Sequence, residues 1–310
     1  MVLGKMFPKS RSIMKPRILI GMWPLSGDFG RVSLQIVEKV IQKAVDNGLC
    51  EFDVAPSYGN GFAEMALGQV LGDEKSVKIY TKFGNHPFEG KDFSDTGLER
   101  SLEQSLLRLR RDSVQGVFLH NPRKEFSDYK NLPKLFSKLK SNGYASELGL
   151  SGAKGYDYSD YPWNSIDIYQ QDFNLLCQNE LFPKRESYFF ARSCLATGIL
   201  SGKLSNESVF HANDHRSAWL KGERLISLVK RTEKIRDIAG GSYSLPSLAR
   251  RYVLFNTYVD TTILGVSKPE HIEDIIQDLD SGPLPKDIVT LLKQEYDNDF
   301  GLEGERHLGF

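Results

Sequence analysis

Cysteine is scarce in this chain. Only Cys50, Cys177 and Cys194 occur in 310 residues, too few and too widely spaced for a disulfide framework or a cysteine-based metal array. Reduced thiols and a cytoplasmic setting are therefore expected. Excess charge of either sign is also absent: Lys plus Arg and Asp plus Glu both total 40, for a formal net charge of zero. A large nucleic-acid footprint needs concentrated positive charge, so no nucleic-acid partner is expected. The local basic run Arg108, Arg110 and Arg111 reads as a solvated helix end. Long apolar stretches are missing too. None would cross a bilayer, and Met1–Arg17 sets Lys5, Lys9, Arg11, Lys15 and Arg17 against no apolar core of the kind a secretory leader carries. Residues 1–15 are expected to form an N-terminal arm and residues 16–310 a single domain with a C-terminal helix and tail, because no low-complexity linker interrupts the chain and barrels often use this much chain as one unit.

What the chain does contain is alternation. Short apolar runs at Arg17–Gly21, Cys50–Ala55, Val77–Phe83, Val114–His120, Glu147–Ser151, Ile166–Gln171, Tyr188–Ser193 and Thr261–Val266 make eight candidate strands. Between them, Ser33–Asn47, Ala63–Leu71, Thr96–Leu109, Tyr129–Ser141, Lys221–Ala239 and Pro269–Leu279 carry apolar residues three or four apart, the period of a helix with one buried face. Two further short helices are expected near Gly155–Tyr161 and Gln178–Arg185. Polar turns such as Asp46-Asn47-Gly48, Gly72-Asp73-Glu74 and Ser141-Asn142-Gly143 supply the left-handed positions that end a helix before the next strand. Strands joined by crossover helices favour a parallel sheet covered by helices, and eight repeats fit a closed α/β barrel, the (β/α)₈ or TIM barrel. A doubly wound open sheet is the competing fold. Pro285–Tyr296 adds a helix after the last repeat, and the long segment from about Gly198 to Lys221 is expected to be a helix-bearing loop over one barrel face.

Polar residues stand where such strands end. Asp53 closes Cys50-Glu51-Phe52-Asp53, Lys82 closes Ile79-Tyr80-Thr81-Lys82, His120 closes Val117-Phe118-Leu119-His120, and Tyr58 follows the first of these on a loop. In a parallel barrel all four converge on the C-terminal face. A buried Asp53–Lys82 ion pair, an interior aromatic and a strand-capping histidine are the plain alternatives for each residue taken alone. Together they suit reduction of a carbonyl, which needs hydride at carbon and a proton at oxygen, where negative charge develops. A nearby Lys82 is expected to lower the Tyr58 pKa, Asp53 to hold the ammonium, and His120 to hydrogen-bond the carbonyl or help Tyr58 release its proton.

The runs Phe52-Asp53-Val54-Ala55-Pro56-Ser57-Tyr58-Gly59, Thr81-Lys82-Phe83-Gly84 and Leu119-His120-Asn121-Pro122 together resemble the aldo-keto reductase family, and the resemblance extends from Gly21-Met22-Trp23 to Asp274. It implies a (β/α)₈ barrel that uses NADPH, less often NADH, with Asp53, Tyr58, Lys82 and His120 as the catalytic tetrad. It further implies cofactor contacts from Trp23, Asp53, Ser151, Gln170, Arg192, Ser193, Leu195, Gly198, Lys203, Gly265, Ser267, Lys268, His271 and Asp274. Four positions depart from the family pattern, one of them Ile275 in place of the usual asparagine. Gly152 replaces an asparagine beside the nicotinamide carboxamide, Arg192 stands where an aromatic often stacks on the ring, and His271 stands where NADPH-specific relatives carry arginine. NADPH is nonetheless favoured over NADH, with Lys268 placed to meet a 2′-phosphate. Trp23, Tyr58, His86, His120 and Trp219 are the substrate-side candidates, with Phe88, His211 and His215 as further loop groups. The substrate implied is a small aldehyde, ketone or sugar-like carbonyl, or the corresponding alcohol or lactol, and a monomer is the expected state.

Other functions are weaker matches. Gly59-Asn60-Gly61 is followed by Glu64 where a dinucleotide-binding glycine loop needs its third small residue. A metal-dependent barrel hydrolase would draw on His86, His120, His211 and His215, whose spacing forms no compact ligand motif; no metal is expected. A catalytically inactive cofactor-binding interaction protein, such as a channel-associated subunit, remains open on the sequence, because folds are reused.

Overall fold

The computed structural model describes residues 16–123, 129–178, 187–302 and 310. The N-terminal arm assigned to residues 1–15, and all but the first residue of the short helix expected at Gln178–Arg185, lie outside the described residues. Ten strands form: β1 (Arg17–Gly21), β2 (Glu51–Asp53), β3 (Lys78–Phe83), β4 (Asn85–His86), β5 (Gly90–Lys91), β6 (Val114–His120), β7 (Ala145–Ser151), β8 (Ile168–Asp172), β9 (Tyr188–Arg192) and β10 (Thr261–Gly265). Eight of them are parallel neighbours that close on themselves in the order β1-β10-β9-β8-β7-β6-β3-β2, the expected barrel. β4 and β5 pair antiparallel in a small hairpin that had no strand signal of its own.

The helices follow from their caps and faces. α1 (Leu34–Asp46), α3 (Asp95–Leu109) and α6 (Leu245–Leu254) each begin where a serine accepts from a first-turn amide: Ser33 from Ile36, Ser94 from Gly97 and Ser244 from Ser247. α2 (Phe62–Leu71), α4 (Leu132–Ser141), α5 (Gly222–Ala239), α7 (Glu270–Ser281) and α8 (Lys286–Asp297) complete the set. α6 escaped the sequence reading because two of its buried positions are arginines, which break the apolar stripe. Arg250 pairs with Asp278 of α7, and Arg251 donates to the carbonyls of Ser281, Gly282 and Pro283 just beyond that helix. The helix expected at Gly155–Tyr161 does not form. Tyr158 instead accepts from Ala153 N at 2.7 Å and donates to Pro122 O at 2.9 Å, holding the segment as irregular loop before a short 3₁₀ turn at Trp163–Ser165. The long segment after β9 carries 3₁₀ turns at Ala196–Ser201 and His215–Ala218. No helix among the described residues is long and apolar enough to cross a membrane.

Strand periodicity sorts the barrel interior into layers. Leu19, Tyr80, Phe118, Ile168, Phe190 and Ile263 form one buried apolar cluster inside the ring. Gly116 and Gly149 admit its aromatic rings: a Cβ at Gly116 would lie 2.5 Å from Tyr80 Cδ1, and one at Gly149 2.3 Å from Phe118 Cδ1. At the N-terminal end, Arg17 donates to Glu51 and to the Tyr80 hydroxyl, and that hydroxyl donates to Glu147 at 2.8 Å. The lower mouth is thereby filled. Because side chains alternate along a strand, the residues two places further on point into the barrel one layer higher. They are Gly21, Lys82, His120, Gln170, Arg192 and Gly265, and four of the six are polar.

Candidate active site

The polar layer is a connected network lying directly on the aromatic floor. Lys82 is fully buried and Asp53 nearly so; Lys82 Nζ donates to Asp53 Oδ1 at 2.8 Å and to Val54 O at 2.9 Å. The other carboxylate oxygen, Asp53 Oδ2, accepts from Gln170 Nε2 at 2.8 Å, and Gln170 Oε1 accepts from Ser151 Oγ at 2.7 Å. Strand register brings these groups together, since Tyr80 pairs with Asp53, Lys82 with Phe118, His120 with Ser151 and Ser151 with Gln170. A buried ion pair of this kind persists when its remaining lone pairs and protons are satisfied, which Gln170 and Val54 do.

Tyr58 hangs over that pair from the loop after β2. Its ring stacks on Trp23 with centroids 5.8 Å apart and meets His120 edge-on at 6.1 Å, and Lys82 Nζ lies 4.8 Å from its centroid. Asp28 fixes the clamp, its Oδ2 accepting from Trp23 Nε1 at 2.9 Å and from Gly59 N at 3.2 Å. The loop turns at Gly59, where φ is +57° and a Cβ would lie 2.2 Å from the backbone carbonyl oxygen of Ser26. Both the left-handed backbone and the backbone-to-backbone approach demand glycine. Gly59→Ala is expected to destabilise the fold by about 2 kcal/mol or more, read from a denaturant titration; a loss within experimental scatter would show that the loop relaxes freely.

Protonation states follow from burial. Removal from water pushes the Tyr58 phenol up, the Lys82 charge pulls it down, and burial prevails. The lowering of Tyr58 expected from Lys82 is thus present but outweighed, because a phenolate loses more solvation than one ammonium already paired with Asp53 returns. Burial also works against the Lys82 ammonium, but Asp53 and Tyr58 overcome it and hold the amine above its usual range. His120 is pushed well below the ordinary histidine value by burial and by the positive charges of Lys82, Arg192 and Lys91. Its ring is neutral near pH 7, with Nδ1 3.5 Å from Ser57 Oγ. Phenol, ammonium and neutral imidazole thus share one small space.

The distal candidates line the rim beside this network. Arg192 joins it directly, donating to Ser151 Oγ and to Gly152 O, both at 2.8 Å. Ser193, Ala196, Thr197 and Gly198 all have positive φ, and Leu195 starts the 3₁₀ turn within that strained run. Lys203 is exposed just beyond it. Gly265 ends β10, where a Cβ would lie 3.0 Å from Pro24 Cγ. Ser267 N donates to His271 Nδ1 at 3.3 Å, and Lys268 lies 3.8 Å from Glu270. His271 is held below its usual value by burial and then by Lys268; Asp274 is exposed one turn further along α7.

Other candidates fall differently. His86 is buried at the start of the hairpin, and its Nε2 has no hydrogen-bond partner among the described residues; neither do the Oδ1 atoms of Asn85 and Asn121. Asn85 Nδ2 donates to His120 O at 3.2 Å, so the Asn85 amide adjoins His120. His215 packs edge-on against Trp23 with centroids 5.2 Å apart, and its backbone N–H donates to Asp28 O at 2.7 Å, drawing the long loop onto the mouth. Trp219 packs against Phe310 and beneath Arg224, while His211 and Phe88 are exposed. Among the described residues no group of three or more His, Cys, Asp or Glu could hold a metal ion, so the four histidines do not assemble the ligand set a barrel hydrolase would need. The basic run is only partly solvated: Arg110 is exposed at the end of α3, while Arg108 Nε donates to the fully buried Glu64 at 2.7 Å and Arg111 donates to the carbonyls of Glu74 and Val77. Glu64 in turn accepts from Thr81 beside Lys82, bracing α2 against β3. Asp28, Glu64, Asn85 and Asp172 were all missed as site-supporting residues, since each acts through tertiary contacts rather than through a local pattern.

Known proteins share this architecture. An aldo-keto reductase of Pseudocercospora fijiensis is 25% identical over 278 residues, covering 81% of this chain and 94% of that one. Human aflatoxin B1 aldehyde reductase member 2 is 27% identical over 292 residues, covering 83% and 80%. A glycerol dehydrogenase from Gluconobacter oxydans superposes with a TM-score of 0.76 at 22% identity, covering 92% of this chain and 91% of that one, a likeness of fold. The sequence model of the Aldo/keto reductase family matches residues 17–297, from the first barrel strand to the end of α8. Closed barrel, polar upper layer and family match agree, and the chain belongs to the aldo/keto reductase family.

Proposed function

We propose that the chain is an NAD(P)H-dependent oxidoreductase that reduces a small polar carbonyl, an aldehyde, ketone or sugar-like compound, or runs the reverse oxidation. The observation that carries this reading is the Tyr58 phenol clamped between Trp23 and His120 with Lys82 Nζ 4.8 Å from its ring centroid. The residues present fit a nicotinamide dinucleotide. Ser151, Arg192, Ser193, Lys203 and Lys268 offer hydroxyls, a guanidinium and ammonium groups, a donor set suited to an amide and a chain of phosphates. The left-handed run at Ser193 and Ala196–Gly198 is backbone strain of the kind kept at ligand sites.

The bound reduced nicotinamide supplies a hydride to the carbonyl carbon. Tyr58 Oη delivers the proton to the carbonyl oxygen, and the Lys82 charge stabilises the phenolate left behind. Asp53 holds that ammonium in place, while neutral His120 offers a hydrogen bond without competing as an acid. Trp23 and the loop pinned at His215 exclude water, which strengthens each of these electrostatic contacts. The unpartnered polar atoms of Asn85, His86 and Asn121 support a substrate carrying hydroxyl groups near its carbonyl, since buried polar atoms seek partners. Turnover across a panel of aldehydes, ketones, sugars and secondary alcohols tests the reading; absence of hydride transfer across the whole panel would favour the binding-protein alternative.

The two directions of the reaction should respond to pH with opposite sign. Reduction needs the protonated phenol, and the Tyr58 pKa is raised, so the rate of reduction should hold through neutrality and fall only above about pH 10. Alcohol oxidation, which needs the phenolate, should rise over the same range. Rates limited by the chemical step check both signs, and a fall in reduction already near pH 7 would assign the proton to another group. The cofactor proposed is NADPH, whose 2′-phosphate Lys268 would neutralise. His271 is uncharged at pH 7 and Lys268 shares its charge with Glu270. The preference for NADPH over NADH should therefore be modest, no more than about fivefold, and initial rates with the two reduced cofactors measure it.

A further inference from the structure

Position 152 has no room for a side chain. A Cβ there would lie 2.9 Å from Tyr169 Oη and 3.1 Å from Tyr158 Cε2. Both rings are buried, and the Tyr158 hydroxyl is fixed by its bonds to Ala153 N and Pro122 O. The polar groups beside it are met instead by a side chain from two strands away. Arg192 Nη2 donates to Gly152 O and Nη1 to Ser151 Oγ, both at 2.8 Å. Asp172, the register partner of Arg192 across β8 and β9, sets the plane of the guanidinium: Arg192 Nε donates to Asp172 Oδ1 at 3.0 Å. Ser193 Oγ donates to the same oxygen at 2.7 Å.

Three of the five guanidinium N–H groups are thus committed, and each terminal nitrogen keeps one donor. We propose that Arg192 grips the carboxamide end of the nicotinamide in place of a side chain at position 152, and that Asp172 is its positioning residue. The assignment rests on the dinucleotide reading above. The chemistry matches: a carboxamide oxygen is a neutral acceptor, and a guanidinium pinned at three points presents donors with little loss of freedom on binding. A lysine has no planar fork to span Ser151, Gly152 and Asp172 together.

The test compares two ligands that differ only in the nicotinamide. The reduced dinucleotide is titrated by fluorescence, and ADP-ribose bearing the same 2′ group is titrated by calorimetry. Asp172→Asn and Arg192→Lys should each weaken the dinucleotide about tenfold and leave ADP-ribose within about twofold of wild type. Ser193→Ala, which removes the other donor to Asp172, should leave the ratio of the two affinities unchanged. Arg192→Lys preserves the charge and keeps the comparison available if Asp172→Asn does not fold. A ratio unmoved by either variant, or moved as far by Ser193→Ala, would overturn the Arg192–Asp172 assignment while the dinucleotide reading stands. A wild-type protein that binds neither ligand would overturn both.

Discussion

Replacing Tyr58 by Phe should lower the rate of carbonyl reduction by about 10²–10⁴-fold while the affinity for the dinucleotide stays within about twofold. The substitution removes a single oxygen. The phenyl ring left in the variant keeps the stack on Trp23 and the edge contact with His120, whose geometry depends on the ring and not on the hydroxyl, and the loop stays anchored through Gly59 N and Asp28. What disappears is the proton bound for the carbonyl oxygen. His120 cannot stand in, because burial and the charges around it keep its imidazole neutral and a neutral ring is a very weak acid. Single-turnover absorbance separates the chemical step from binding, and a chemical rate within a factor of a few of wild type would remove Tyr58 from the reaction.

Lys82→Met should damage both rate and stability. Lys82 is wholly buried, and its ammonium serves Asp53 Oδ1, Val54 O and the field at Tyr58. Methionine fills a similar volume but leaves the Asp53 side chain, 3% exposed, without its cation and with Gln170 as its remaining side-chain donor. Removing one partner of a buried pair typically costs about 3–5 kcal/mol, and losing a cation aimed at developing negative charge lowers the rate by about 10²–10³-fold. The two effects can be separated. Adding Asp53→Asn removes the stranded carboxylate and should recover much of the stability without recovering the rate. Without Lys82 the phenolate loses its nearest cation, so the rise of residual alcohol oxidation with pH should move to higher pH. Stability regained by the double variant together with activity would mean that the pair serves the fold alone.

The polar layer explains why so much of the site was readable. Lys82 follows Tyr80, and His120 follows Phe118, by two residues, so any reading that finds the strands and respects their alternation puts floor and chemistry on the same inward face. Gln170 follows Ile168 by the same spacing, and Asp53 reaches Lys82 from a nearby strand end. Helix α6 was hidden for the converse reason: Arg250 and Arg251 are buried through ion pairing and carbonyl contacts beyond the reach of local periodicity. Arg108 misled in the same way, because its partner Glu64 is 44 residues away. The helix expected at Gly155–Tyr161 failed because one hydroxyl, that of Tyr158, reaches across to Pro122.

The sequence by itself determined eight strands, their parallel order and the three residues around the Tyr58 phenol, since these depend on period, strand ends and the convergence that a barrel imposes. Tertiary structure decided what those groups are at neutral pH and who holds them. Whether burial or Lys82 governs Tyr58 depends on how completely water is removed, a property of the closed site and not of any segment. The missing side chain at Gly152 and the unusual Arg192 look like separate departures along the chain, and only in space do they become one arrangement. Two tyrosine rings close off position 152, and Asp172 holds the guanidinium that bonds the Gly152 carbonyl.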